Sequence, residues 1–143
     1  MGGIRREHVY ANFKNRSAIQ PRKKRAEWKP RAGMSKKHLQ FIRALPCIKC
    51  MSQVGVQAHH LKEGTGERGA GMRSTDRWAV PLCGPEAQDC HGEVERIGAK
   101  NEIEWFNSFG IDPHELARGL WTVTNDRDRM LKVLLVHKER ADG

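Results

Sequence analysis

The residues best suited to chemistry lie between positions 47 and 95. They are Cys47, Cys50, Cys83 and Cys90, the adjacent pair His59 and His60, and His91 followed four residues later by Glu95. Cys47-x2-Cys50 is a knuckle spacing, in which two thiolates grip one ion from a tight turn. Zinc asks for four ligands, so a second pair is needed. Cys83 and Cys90 supply it, with six residues between them instead of the usual two to four. A ring of four thiolates leaves no position open to substrate, so this zinc would be structural. Two other readings stand beside it: a site of Cys47, Cys50 and Cys83 completed by a histidine, and ordinary free thiols. Two disulfides would suit a secreted chain, but the N-terminal residues carry no apolar signal-peptide core, which favours metal. A redox role for Cys47-x2-Cys50 would want a βαβ pattern around the motif, and none surrounds it.

The histidines answer to a different chemistry. His59 and His60 close the run "VGVQAHH" (54–60), which reads as a strand. Neighbouring strand side chains point to opposite faces, so one imidazole can face a metal while the other faces another target. His91 belongs to the first turn of a helix, and Glu95 falls on the same helical face. One strand histidine, with His91 and Glu95, can hold a divalent ion with open positions, and the remaining histidine can then deprotonate water. His8, His38, His114 and His137 lack metal spacing and read as surface or core histidines.

Several elements must position these groups. Ser35 caps a short helix through Ala44, with Leu39, Ile42 and Arg43 on one face, and Pro46 ends it. A second strand lies in "RWAVPLC" (77–83). Between the strands, "EGTGERGAGMRS" is a glycine-rich loop in which Lys62, Arg68 and Arg73 can embrace a phosphate backbone, unless it is a plain insertion. A helix starts near Glu86–Asp89, runs through Arg96 and stops at Gly98. The C-terminal third reads as helices: "NEIEWFNSFG", with Ile103, Trp105 and Phe106 for burial; "DPHELARGLW", with Asp112 as cap and Pro113 in the first turn; and "TNDRDRMLKVLLVHKER", capped by Thr124 or Asn125. Met130, Leu131, Leu134 and Leu135 form the buried stripe of the last of these.

Charge divides the chain of 143 residues unevenly: residues 1–40 hold 12 Lys/Arg against 2 Asp/Glu, within a total net charge of +9. Residues 1–33 therefore read as a basic, disordered arm whose Arg22, Lys23, Lys24 and Arg25 bind nucleic acid, or as a solubilising tail. Residues 34–143 form one folded domain. Tyr10, Phe13 and Trp28 dock on that domain or stack on bases. No apolar stretch approaches the ~20 residues of a membrane span, so a soluble, intracellular protein is expected.

Taken together, "AHHLKEG", "TDRWAVPLC" and "DCHGEVERIG" resemble the HNH (ββα-metal) endonuclease family, in particular small phage-encoded members including the Ref-type nucleases that act with RecA filaments. The likeness covers about residues 44–98, with a weaker part through "FGIDPHELARGLW". It implies an α+β fold: a small ββα-metal core braced by a zinc knuckle, with flanking helices in the C-terminal third and the basic arm in front. By position it implies His59 and His91 as ligands of a catalytic Mg²⁺ or Mn²⁺ and His60 as general base. Glu95 falls where relatives place a second helical histidine, and a carboxylate suits Mg²⁺ or Mn²⁺ better than zinc. The family's middle asparagine is missing. Asp76 lies closest to its place and either orients the base or merely begins the second strand or caps a turn.

The implied activity is single-metal hydrolysis of DNA phosphodiester bonds, in phage recombination, in the cytoplasm of a bacterial or phage-infected cell, with a RecA filament as a partner suggested by the likeness alone. The alternative is a zinc-containing module that binds nucleic acid without cutting it. Zinc and the basic arm serve both readings. His59, His60 and His91 separate them, because a structural knuckle does not need them.

Overall fold

The computed structural model describes residues 32–67 and 73–143. The arm expected over 1–33, with Arg22, Lys23, Lys24 and Arg25, lies outside the described residues except for its last two positions, and so does Arg68 of the glycine-rich loop.

Helix α1 (Lys36–Arg43) begins where expected. Ser35 is extended, and its hydroxyl accepts the His38 N–H, one of the donors a helix start leaves unpaired. His38, Leu39 and Ile42 form its buried face, whereas Arg43 is exposed in the last turn, where a cation suits the helix dipole. After Pro46 the chain turns back on itself. The Met51 N–H donates to the Cys47 carbonyl at 2.8 Å, and the Cys47 N–H to the Ser52 carbonyl at 2.9 Å. Met51 closes this turn in the left-handed region, at φ 62°.

Strands β1 (Val56–His60) and β2 (Ala79–Cys83) pair antiparallel, with His59 opposite Val80 and His60 opposite Ala79. Both are shorter than the apolar runs suggest. Gly55 takes φ 62°, which delays β1, and residues Asp76–Trp78 wind into a single 3-10 turn ahead of β2. β2 is buried at all five positions, which explains its unbroken apolar run. β1 does not alternate cleanly: Val56 is buried on one face, while the other carries exposed Gln57 and then buried His59. Helix α1 lies against both strands. A lone two-stranded sheet is marginal in water, so these contacts are what hold it.

Helix α2 (Cys90–Ile97) starts later than expected, because residues 85–88 form a turn. Asp89, at φ 52°, caps it by accepting the Gly92 N–H, and Gly98 at φ 85° ends it. Three helices follow: α3 (Glu102–Asn107), α4 (Pro113–Thr122) and α5 (Arg127–Asp142). Asp112 caps α4 through the His114 and Glu115 N–H groups, with Pro113 at the first position. The cap of α5 is Asp126, not Thr124 or Asn125. Asn125 is left-handed at φ 68°, while the Thr124 hydroxyl faces His38 Nδ1 at 2.6 Å. Met130 and Leu134 are buried, Leu131 half-buried, and Leu135 is 38% exposed, so α5 buries a narrower stripe than its sequence offers.

The described residues thus form a mixed α+β fold of five helices and one two-stranded antiparallel sheet. No helix among them is long and apolar enough to cross a membrane. The core runs from Ile42 of α1 through Leu82 of β2 and Phe106 of α3 to Leu116 and Leu120 of α4.

Candidate metal centres and the histidine site

The four cysteines come from three places: the knuckle after α1, the end of β2 and the start of α2. Their sulfurs all lie within 4.8 Å of one another, a cluster that could hold a metal such as zinc. Cys50 Sγ and Cys83 Sγ are 3.5 Å apart. Burial raises the Cys83 thiol, but hydrogen bonds from the Cys90 backbone and side chain, from Cys50 and from the Gln88 backbone outweigh it and bring it down to about 7. Burial and the facing sulfurs of Cys83, Cys47 and Cys50 push the Cys90 thiol far up. Four sulfurs this close cannot all ionise against one another, and a cation among them removes that conflict. The donor set therefore fits a thiophilic ion. Lys49, inside the knuckle, ties it to the helices: its ammonium pairs with Glu93 at 3.1 Å and lies 5.1 Å from the centre of the Trp105 ring.

His59, His91 and Glu95 form a second group, with one ligand atom from each lying within 4.8 Å of the others. His59 is 1% exposed. Its Nε2 lies 2.7 Å from Glu102 Oε2, and a carboxylate can only accept, so the proton sits on Nε2. His59 Nδ1 is then a bare lone pair, buried and without a hydrogen-bond partner among the described residues. It faces Glu95 Oε1 at 3.3 Å, close enough for an ion pair but outside hydrogen-bond geometry. His91 Nδ1 donates to Gln57 Oε1 at 2.5 Å, which leaves His91 Nε2 as a second lone pair, 3.5 Å from the same Glu95 oxygen. Three acceptors thus converge with no proton between them. Such a set repels itself unless a cation sits inside it, so these residues fit a divalent ion. Burial raises the Glu95 carboxyl, but the Lys62 ammonium, through its hydrogen bond and its charge, holds it below the usual carboxylate range. Lys62 Nζ contacts Glu95 Oε2 directly.

His60 stands apart from that group. Its Nε2–H donates to Asp76 Oδ1 at 2.8 Å, while Asp76 Oδ2 accepts the Ser35 N–H at 2.8 Å. Asp76, in the 3-10 turn ahead of β2, is buried, so its carboxylate is committed to these two donors. His60 Nδ1 is left as the basic atom of the ring. Burial lowers the His60 pKa; the Asp76 hydrogen bond pulls the other way without reversing it. Arg73 is exposed and lines a cleft of about 810 Å³ together with Lys36, Arg43 and Asp76.

The structure therefore brings together His59, His91 and Glu95 as one group, the four cysteines as another, and His60 with Asp76 as a pair. Three contributors escape a reading of the sequence. Glu102 accepts from His59 and from the backbone N–H groups of Lys62 and Glu63. Gln57 orients His91, and the Ser35 backbone holds Asp76. Gln57 had a signal, since it shares a strand face with His59 two residues on. Glu102 had a weaker one: it precedes buried Phe106 by four residues, which puts it on the inward face of α3. Of the other histidines, His8 lies outside the described residues, and two have structural partners or burial. His38 is fully buried, and His114 Nε2 donates to the Glu63 carbonyl at 2.7 Å.

No curated protein and no solved structure matches the chain. A family model described as "Protein of unknown function (DUF968)" matches residues 20–120. That span includes both ligand groups, the His60–Asp76 pair and Glu102. The match covers well over half of the sequence, and the chain belongs to this family.

Proposed function

We propose that this chain is a metal-dependent DNA endonuclease of the HNH type, in which β1, β2 and α2 serve as the ββα-metal unit. In this reading zinc on Cys47, Cys50, Cys83 and Cys90 is structural, and Mg²⁺ or Mn²⁺ is held by His59, His91 and Glu95. The observation that carries the reading is the convergence of three unprotonated acceptors beside a separate histidine–carboxylate pair. A zinc module that only binds nucleic acid has no use for either.

A divalent ion held there supplies Lewis acidity at a phosphate and offsets the charge of the leaving oxygen. The rest falls to side chains of this chain. His60 Nδ1 accepts a proton from the attacking water, and Asp76 fixes the ring through Nε2–H. His59, His91 and Glu95 hold their ligand atoms toward one point. Lys36, Arg43 and Arg73 present positive charge along the cleft that reaches Asp76, suited to a phosphate backbone. The basic N-terminal segment, with Arg22, Lys23, Lys24 and Arg25, adds affinity for phosphates without reading bases. By its likeness to Ref-type nucleases, the protein acts in phage recombination, on DNA coated by a RecA filament.

The test is cleavage by the zinc-loaded protein of single-stranded, duplex and filament-coated DNA, each with Mg²⁺, Mn²⁺ or EDTA. Metal-dependent cleavage abolished by EDTA is expected. Binding without cleavage on every substrate and with either ion would instead establish the non-catalytic module.

A further inference from the structure

Glu102 is a nearly fully buried carboxylate with no lysine or arginine against it among the described residues. It spends its oxygens on three donors. Oε1 accepts the N–H groups of Lys62 and Glu63 at 2.7 and 3.0 Å, and Oε2 accepts from His59 Nε2 at 2.7 Å. One helical turn further along α3, Phe106 packs its ring against the same imidazole, with centroids 6.2 Å apart. One face of α3 is thus built around His59. Its register is fixed by the loop leaving β1, because the two backbone N–H groups bind Oε1 and leave only Oε2 for the histidine.

From this arrangement we infer that Glu102 is a positioning residue that sets the tautomer of His59, placing the proton on Nε2 so that Nδ1 is the atom offered to the metal. The inference rests on the metal reading proposed above and adds the group that makes the site competent. A neutral imidazole has one donor and one acceptor nitrogen, and whichever nitrogen carries the proton cannot ligate. For an imidazole as buried as His59, the partner of the far nitrogen makes that choice.

Glu102→Gln tests this with little change in shape. The glutamine carbonyl keeps the Oε1 position, because two backbone donors demand an acceptor there. Its NH₂ group must then face His59 Nε2 and donate to it. The imidazole responds by carrying its proton on Nδ1, where Glu95 Oε1 waits as acceptor, and the ligand atom is lost. ¹⁵N NMR of the histidine rings in zinc-loaded protein without added Mn²⁺, with His59 assigned by comparison with His59→Ala, should show Nε2–H in the wild type and Nδ1–H in E102Q. Mn²⁺ titration followed by electron paramagnetic resonance should show affinity reduced by about 10–100-fold in E102Q, as for other groups that orient a ligand. The thermal midpoint without added Mn²⁺ should stay close to that of the wild type, which a merely structural role for Glu102 would not allow.

Wild-type Mn²⁺ affinity in E102Q overturns the role of Glu102 while leaving the metal site standing. A wild type that binds no Mn²⁺, indistinguishable from His91→Ala, overturns the metal reading and this assignment with it. Should E102Q fail to fold, the wild-type spectrum decides alone: His59 carrying its proton on Nδ1 would overturn the inference.

Discussion

Two neighbouring imidazoles on one strand end in different surroundings, and their loss should differ accordingly. His59 belongs to the group of converging acceptors, whereas His60 is bound to Asp76. His60→Ala is expected to leave Mn²⁺ and DNA binding intact while lowering the cleavage rate by roughly 10²–10⁴-fold, the span for a missing general base. His59→Ala should weaken the metal, so that added Mn²⁺ restores part of the rate. Rescue of the first variant and not the second would exchange their roles. Because burial lowers the His60 pKa, the ring stays neutral below the ordinary imidazole value. The acid limb of the pH–rate profile should therefore fall below about 6.5. A buried histidine elsewhere makes a separate claim on pH. Burial brings His38 down to about 4, with the Asp76 charge opposing that shift and His60 adding to it. Between about 6.5 and that value the unfolded chain takes up a proton that the folded one refuses, so stability falls as pH falls through this window, by roughly 3 kcal/mol. His38→Gln should flatten this part of the stability curve measured by urea unfolding. An unchanged slope would show that other groups set it.

At the level of single elements, the start of α2 matters most, since it carries Cys90, His91 and Glu95. Asp89 holds that start in two ways: its carboxylate caps Gly92 N–H, and its backbone takes the left-handed conformation at φ 52°. Asp89→Ala loses the cap, about 1 kcal/mol, and keeps a β-carbon in the left-handed region, which costs about 1–2 kcal/mol relative to glycine. Asp89→Gly loses the cap but relieves the backbone. In urea unfolding of the zinc-loaded protein, the glycine variant should therefore be clearly the more stable of the two. Equal losses would mean that the left-handed turn is not what positions α2. The helix boundaries themselves were largely legible: Ser35, Asp112–Pro113 and Gly98 act through donors and dihedrals within a turn of the chain. The boundaries that shifted at Gly55 and at Asp126 depend on positive φ or on a hydroxyl already committed to a distant partner.

Across the whole molecule, a two-stranded sheet and short helices leave a modest core, and the cysteine cluster joins three separated segments of it. Native mass spectrometry is expected to find one tightly held zinc. Cys50→Ala should lose that zinc and, with it, the cooperative unfolding transition and the near-ultraviolet signal of Trp78 and Trp105, both buried. A zinc-free variant that keeps both would remove the structural role given to the metal.

Spacing alone identified the knuckle, the paired histidines at a strand end and the His91–Glu95 face. Each is local: two residues in a turn, alternate faces of a strand, or one helical turn, so neighbours along the chain determine the geometry. The partners of those groups are another matter. Glu102 reaches His59 across 43 positions, Ser35 reaches Asp76 across 41, and Thr124 reaches His38 across 86. A buried polar atom must find a partner or lose about 1–3 kcal/mol, which requires that such partners exist. Which residue fills each place depends on how α1, α3, the hairpin and the turn before α5 come together, and only the tertiary structure decides that.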